Sequence, residues 1–160
     1  MGVLNMEEFF TKKGKFVQLY LNKDEEGMIK MIDDNEIHHN AILSISLDTP
    51  LIYACRGEFK NLLNKLMNIE DINYNHVNLE GHVALYWACR SGMKDIVKKL
   101  LAKPNIKCNT GTLTPLHQAC INKRIGIALM LLDIPNIRFD IKEDIGQRTA
   151  WDFAINNKMN

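Results

Sequence analysis

The sequence predicts an all-α fold, a solenoid of stacked helix-turn-helix units separated by non-helical excursions. Three observations predict it. One segment recurs four times, as TPLIYACRGEF (49–59), VALYWACRSGM (83–93), TPLHQACINKR (114–124) and TAWDFAINNKM (149–159), at offsets of 34, 31 and 35 residues. Apolar doublets follow the first three copies in register. They are Leu62-Leu63 with Leu66-Met67, Ile96-Val97 with Leu100-Leu101, and Ile127-Ala128 with Leu131-Leu132. Spacing of i, i+1, i+4, i+5 is one face of an amphipathic helix. Beyond them Ile72, Ile106 and Ile137 align, and three residues later stand Asn75, Asn109 and Asp140.

Residues 1–15 form an N-terminal segment. FVQLYLNKDEEGMIKMI (16–32) sets onto 51–67 with an offset of 35 residues, which also carries Ile37 onto Ile72 and Asn40 onto Asn75. Residues 16–48 are therefore expected to be a degenerate first repeat serving as a polar cap. Full repeats follow at 49–82, 83–113 and 114–148, and 149–160 is a partial repeat lacking its second helix. Thr49, Thr114 and Thr149 stand where a side-chain oxygen can cap the first helix, and Pro50 and Pro115 suit its first position. Ala54, Ala88 and Ala119 are small because neighbouring helices approach there. Cys55, Cys89 and Cys120 follow in register and read as packing residues, since a free cysteine behaves as a small buried hydrophobe. Pro104-Asn105-Ile106 and Pro135-Asn136-Ile137 stand where the second helices must stop.

This unit resembles the ankyrin repeat. TPLHQAC (114–120) is a near-complete match to that family's first helix and SGMKDIVKKLL (91–101) to its second, and the likeness covers residues 16–160. The resemblance implies one domain of about four to five repeats, with a histidine bonding back to the threonine in each. Only His117 preserves that histidine; Ile52, Tyr86 and Asp152 replace it elsewhere. It also implies a β-hairpin finger projecting between units, of 8 residues at 41–48, 7 at 76–82, 4 at 110–113 and 8 at 141–148. The short third finger should leave a notch in the concave rim. Gly81 and Gly111 would supply positive-φ turns.

The family binds partner proteins through finger tips and the exposed side of the first helices. Carried over by position, those residues are Ser46, Asp48, Tyr53 and Arg56, then Leu79, Glu80, His82, Trp87 and Arg90. Leu113, Gln118, Ile121, Asn122 and Arg148 complete the set. Arg56 and Arg90 share a register, so they should neighbour each other and meet an acidic element of the partner. The expected function is non-catalytic recognition of another protein, without cofactor. The alternatives are a regulatory domain of a longer enzyme and a self-associating element. The open last repeat, with Trp151, Phe153 and Ile155 partly uncovered, favours association through that end.

Chemistry is not expected. A net charge of +1 gives no field for nucleic acid or an anionic membrane, and no apolar run reaches the roughly 20 residues of a bilayer span. MGVLNMEEFF lacks a secretory pattern, and Met6 stands where myristoylation of Gly2 wants Ser or Thr, so the cytoplasm is the expected location. For a chain from a virus or an intracellular pathogen it would be the host cytosol. No CxxC pair exists. Glu7-Glu8, Asp24-Glu25-Glu26 and Asp33-Asp34 read as solvated or helix-start charges, and Lys98-Lys99 with Lys103 and Lys107 as a solvated helix face. Cys108, His117 and Cys120 each have a place in the repeat register and lack a fourth zinc ligand. His38-His39 is expected to hold no metal, because adjacent loop side chains diverge.

Overall fold

A computed structural model describes residues 6–159, with side chains described from residue 11 onward. Gly2 lies outside the described residues, and so do the side chains of Glu7 and Glu8. Among the described residues there are nine α-helices and no strand: α1 (Met6–Leu21), α2 (Glu25–Asp33), α3 (Pro50–Gly57), α4 (Lys60–Met67), α5 (Ala84–Ser91), α6 (Lys94–Leu101), α7 (Pro115–Ile121), α8 (Ile125–Leu132) and α9 (Ala150–Asn156). The chain divides into two compact units, Met1–Asn73 and Tyr74–Asn160.

In the first unit α1 packs on α2, and α4 receives both α2 and α3. Phe16, Met28, Leu62, Leu63 and Leu66 are fully buried. In the 35-residue register α2 begins where α4 begins, and α1 ends within one residue of where α3 ends. α1 starts at Met6 rather than near 16, so part of the N-terminal segment is helical. α4 opens on Phe59, which offers no capping side chain. Glu25 from α2 does that work: Oε1 accepts the Asn61 N–H (2.7 Å) and the Leu62 N–H (2.9 Å), and Oε2 accepts the Asn61 amide (3.0 Å). A carboxylate there also complements the positive end of the helix dipole.

In the second unit α5 packs on α6 and α7, α7 on α8 and α9, and α6 on α8. Each doublet predicted from the sequence supplies buried residues: Ile96, Val97 and Leu100 from α6, and Ile127, Ala128 and Leu131 from α8. Thr49, Thr114 and Thr149 all cap as expected, accepting from Ile52, His117 and Asp152 N–H. His117 completes a reciprocal capping box at α7. Asp152 does the same at α9, its carboxylate taking the Thr149 N–H at 2.7 Å, so the replaced histidine costs that helix no cap.

The turn between paired helices has one form throughout. The N–H groups of Phe59, Met93 and Arg124 return to the carbonyls of Ala54, Ala88 and Ala119. Each is preceded by a residue at positive φ, namely Glu58 (59°), Gly92 (78°) and Lys123 (55°). Gly92 has a second reason to lack a side chain, since a Cβ there would come within 2.7 Å of the Arg124 guanidinium.

The second helices are followed by a side-chain clamp. Asn40 Nδ2 donates to the Asp71 carbonyl (2.9 Å) while its Oδ1 accepts the Asn73 N–H (2.8 Å). Asn75 repeats this with Asn105 (2.8 Å) and Lys107 (2.9 Å), and Asn109 with Asn136 (2.9 Å) and Arg138 (2.8 Å). At the fourth position Asp140 instead pairs with Arg138 (2.9 Å).

The fingers are turns rather than β-hairpin ladders. Leu43 N–H to Asp48, Asn78 N–H to His82 and Glu143 N–H to Arg148 close them, and Lys142–Thr149 is an isolated antiparallel bridge. The arms between clamp and cap are too short to form more rungs.

Candidate recognition surface

Polar side chains of the fingers turn inward to hold backbone. Asn78, 4% exposed, accepts the Glu80 and His82 N–H groups through Oδ1 (3.1 and 2.9 Å). Ser44 accepts the Asp48 N–H (3.2 Å). Glu143, also 4% exposed, accepts the Ile145 and Gly146 N–H groups at 2.8 Å and pairs with Arg148 at 3.0 Å. A positive-φ residue follows each tip, at Leu47 (62°), Gly81 (79°) and Gln147 (54°).

With those bonds satisfied internally, each long finger presents an aliphatic side chain. Ile45 is 94% exposed, Leu79 70% and Ile145 96%. All three stand four residues before the first-helix cap position, at Thr49, Val83 and Thr149. Sequence reasoning selected Leu79 and missed Ile45 and Ile145, although the offset from the cap would have found both.

Within the second unit the shortened finger lies against both neighbours. A Cβ on Gly111 would meet the Gly81 carbonyl oxygen at 2.9 Å, and Thr112 Oγ1 donates to Asp144 (2.9 Å) on the other side. Leu79 and Ile145 thus belong to fingers flanking the short one.

Four residues expected at the partner surface are withdrawn from it. Asp48 is fully buried, where it accepts from Ser46 and Arg56 (3.0 and 3.1 Å). Tyr53 lies edge-on to Phe16 and Tyr20. Trp87, 6% exposed, is edge-on to His82 and Tyr86. Gln118 is buried and bonded by the Asn122 amide (3.2 Å). Tyr53, Trp87 and Gln118 stand on the packed sides of α3, α5 and α7, and Asp48 lies in the finger just before the Thr49 cap. Ser46, Arg56, His82, Leu113, Ile121 and Asn122 are part-exposed, and Leu79, Glu80, Arg90 and Arg148 are exposed.

The arginines are partly committed. Arg56 belongs to the first unit and pairs with Asp48 (3.1 Å); Arg148 pairs with Glu143 and lies over Phe153 (4.4 Å). Arg90, in the second unit, lies over Trp87 (5.3 Å), and no carboxylate pairs with it among the described residues. A second exposed apolar feature occupies α7–α9. It is a cavity of about 890 Å³ lined by Leu116, Leu129, Leu132, Phe139, Trp151 and Ala154 among others. Trp151 is 66% exposed, while Phe153 is part-covered by His117 and Arg148.

The thiols do not look like nucleophiles. Cys55, Cys89, Cys108 and Cys120 are all free and buried. Burial pushes the Cys55 thiol up to about 12 and Cys120 to about 11, far from the thiolate that reacts. Burial likewise lowers His117, whose Nδ1 accepts the Thr114 N–H (3.2 Å) while Nε2 faces the Arg148 carbonyl (3.3 Å). The histidine pair departs from expectation. Its rings do not diverge but lie 4.1 Å apart at 30°. No helix among the described residues is long and apolar enough to cross a membrane.

No curated protein matches the chain. The family model described as ankyrin repeats (3 copies) matches residues 11–112 and 51–143, in agreement with the repeated caps, turns and clamps. The chain belongs to the ankyrin-repeat family, whose members are generally protein–protein interaction modules and typically not enzymes.

Proposed function

We propose that this chain is a non-catalytic recognition module that grips a partner protein with its finger tips. One observation carries the reading: Ile45, Leu79 and Ile145 occupy one register position and are 94%, 70% and 96% exposed. An aliphatic side chain held in water returns nothing to folding, and buried on a partner it gains about 1.5–3 kcal/mol. The finger backbones are already held by internal hydrogen bonds, which lowers the ordering entropy that opposes binding. Around Leu79 and Ile145, Glu80, His82, Leu113, Ile121 and Asn122 supply a polar and apolar rim, and Arg90 supplies a cation for a single partner carboxylate. Arg56 and Arg148 already have carboxylates, which narrows the expected acidic element to the vicinity of Arg90.

Photo-crosslinking tests this. A benzophenone side chain is placed at position 79 or 145, and at Lys98 on α6 as a control. Adducts of one size from positions 79 and 145, absent from 98, are expected, the position-79 adduct being weakened by Ile145→Asp and the position-145 adduct by Leu79→Asp. Equal labelling from all three positions refutes the fingertip assignment.

The cavity on α7–α9 favours a second reading, association of two copies through that face. Trp151→Ser with Leu129→Ser then shifts a concentration-dependent mass to the monomer. A mass independent of concentration in the wild-type chain rejects it.

A further inference from the structure

We propose that His38, His39 and Asp71 form a binding site for a divalent transition-metal ion of the zinc class. This inference stands apart from partner recognition and rests on different residues.

The loop after α2 and the loop after α4 are tied together by Asn40, which bonds the Asp71 carbonyl and the Asn73 N–H at once (2.9 and 2.8 Å). That clamp sets the two imidazoles beside the Asp71 carboxylate. The rings lie side by side, 4.1 Å between centroids and 30° between planes, so they offer nitrogens to one region instead of diverging. His39 Nε2 is 2.9 Å from Asp71 Oδ1, yet this buried nitrogen makes no hydrogen bond. One donor atom from each of the three residues lies within 4.8 Å of the other two.

Zinc bonds nitrogen and oxygen ligands at about 2.0–2.2 Å, which places tetrahedral ligands about 3.3 Å apart. The donor atoms, all within 4.8 Å of one another, therefore need to close by at most about 1.5 Å. His38 is exposed and can supply this by rotating. Its Nδ1 accepts the Asn40 N–H at 3.2 Å, a long bond that yields if that nitrogen is protonated when the other takes the ion. Two neutral imidazoles and a carboxylate, with water in the fourth place, suit zinc, cobalt, nickel or copper(II) rather than calcium or magnesium.

The repeat architecture does not require this set. The clamp recurs at Asn75 and Asn109, but the positions matching His39 there are Tyr74 and Cys108, and those matching Asp71 are Asn105 and Asn136. The donor triplet is confined to the first junction. An ion there would link the segments after α2 and α4.

The test is titration of the full chain with cobalt(II), followed by visible absorption, and with zinc(II), followed by calorimetry. One ion per chain is expected, with visible ligand-field bands and no thiolate charge-transfer band. Asp71→Asn and His38→Ala should each weaken zinc by about tenfold or more, with unchanged far-ultraviolet circular dichroism. Asp71 is the decisive position, because its side chain is 70% exposed and its substitution leaves the core alone. His39→Gln should lose binding likewise. No saturable binding by the wild-type chain overturns the proposal. So does zinc binding that Asp71→Asn and His38→Ala leave unaltered, or a cobalt spectrum with a thiolate band, which would put the ion on cysteine.

Discussion

Replacing Asn75 by alanine removes both arms of one clamp, the 2.8 Å bond to the Asn105 carbonyl and the 2.9 Å bond from the Lys107 N–H. A net hydrogen bond contributes about 0.5–1.5 kcal/mol, so the pair sets a range of about 1–3 kcal/mol. Asn105 and Lys107 are exposed or part-exposed, and water can reach the two groups left behind. The expected cost therefore falls at about 1–2 kcal/mol. Asn109→Ala removes bonds of nearly the same length, at 2.9 and 2.8 Å, and should cost the same within about 0.5 kcal/mol. Urea unfolding followed by circular dichroism is the assay, and with a slope of about 2 kcal/mol per molar the midpoint falls by about 0.5–1 M. Asn75→Asp keeps the acceptor for Lys107 but sets a carboxylate against the Asn105 carbonyl. It should cost at least as much as alanine at pH 7, and less at pH 3, where the protonated acid can donate again. Midpoints shifted by less than 0.2 M in both alanine variants, at unchanged slope, would refute the clamp as a stabilising element.

Three further outcomes are expected. Lys123→Gly should stabilise the chain by up to about 1 kcal/mol, because a non-glycine residue at φ 55° is strained, partly offset by glycine's greater freedom when unfolded; thermal melting reads the sign. Gly111→Ala should destabilise by about 1–3 kcal/mol, since its φ is 80° and a Cβ meets the Gly81 carbonyl oxygen at 2.9 Å, and chemical unfolding measures it. Burial holds the His117 pKa below 6.5, so its contribution is complete above that pH and is lost as the pH falls toward the lower folded value. The wild-type midpoint should drop below pH 6.5, and His117→Asn should flatten that slope.

The repeat was legible because its landmarks obey hard local rules. Thr at a cap, proline at a first turn and doublets at helical spacing have few other readings, and each fell on the helix expected of it. The starts of α4 and α1 were less legible. Phe59 offers no capping atom, and Glu25, which caps α4, lies 36 residues from Asn61. α1 lengthens through MEEFFTKKGK, which has no counterpart in the other repeats to align against. The surface list suffered from a different limit. Register places Tyr53, Trp87 and Gln118 on first helices, but whether a side chain points outward depends on packing that register does not give, as where Tyr20 of α1 meets Tyr53 of α3. Ile45 and Ile145 were accessible by counting back from the caps, and a search for polar anchors passed over them.

The borrowed cap on α4 gives the first unit a direction in time. A helix of eight residues is marginal alone, and the three bonds from Glu25 exist only once α2 is in place. α4 should therefore form after α2, or together with it, and not before. Kinetically, Glu25→Ala should slow the folding of α4 if the cap is already made in the transition state, and speed its unfolding if it is not. A chain emerging from the ribosome presents the carboxylate before the helix that needs it.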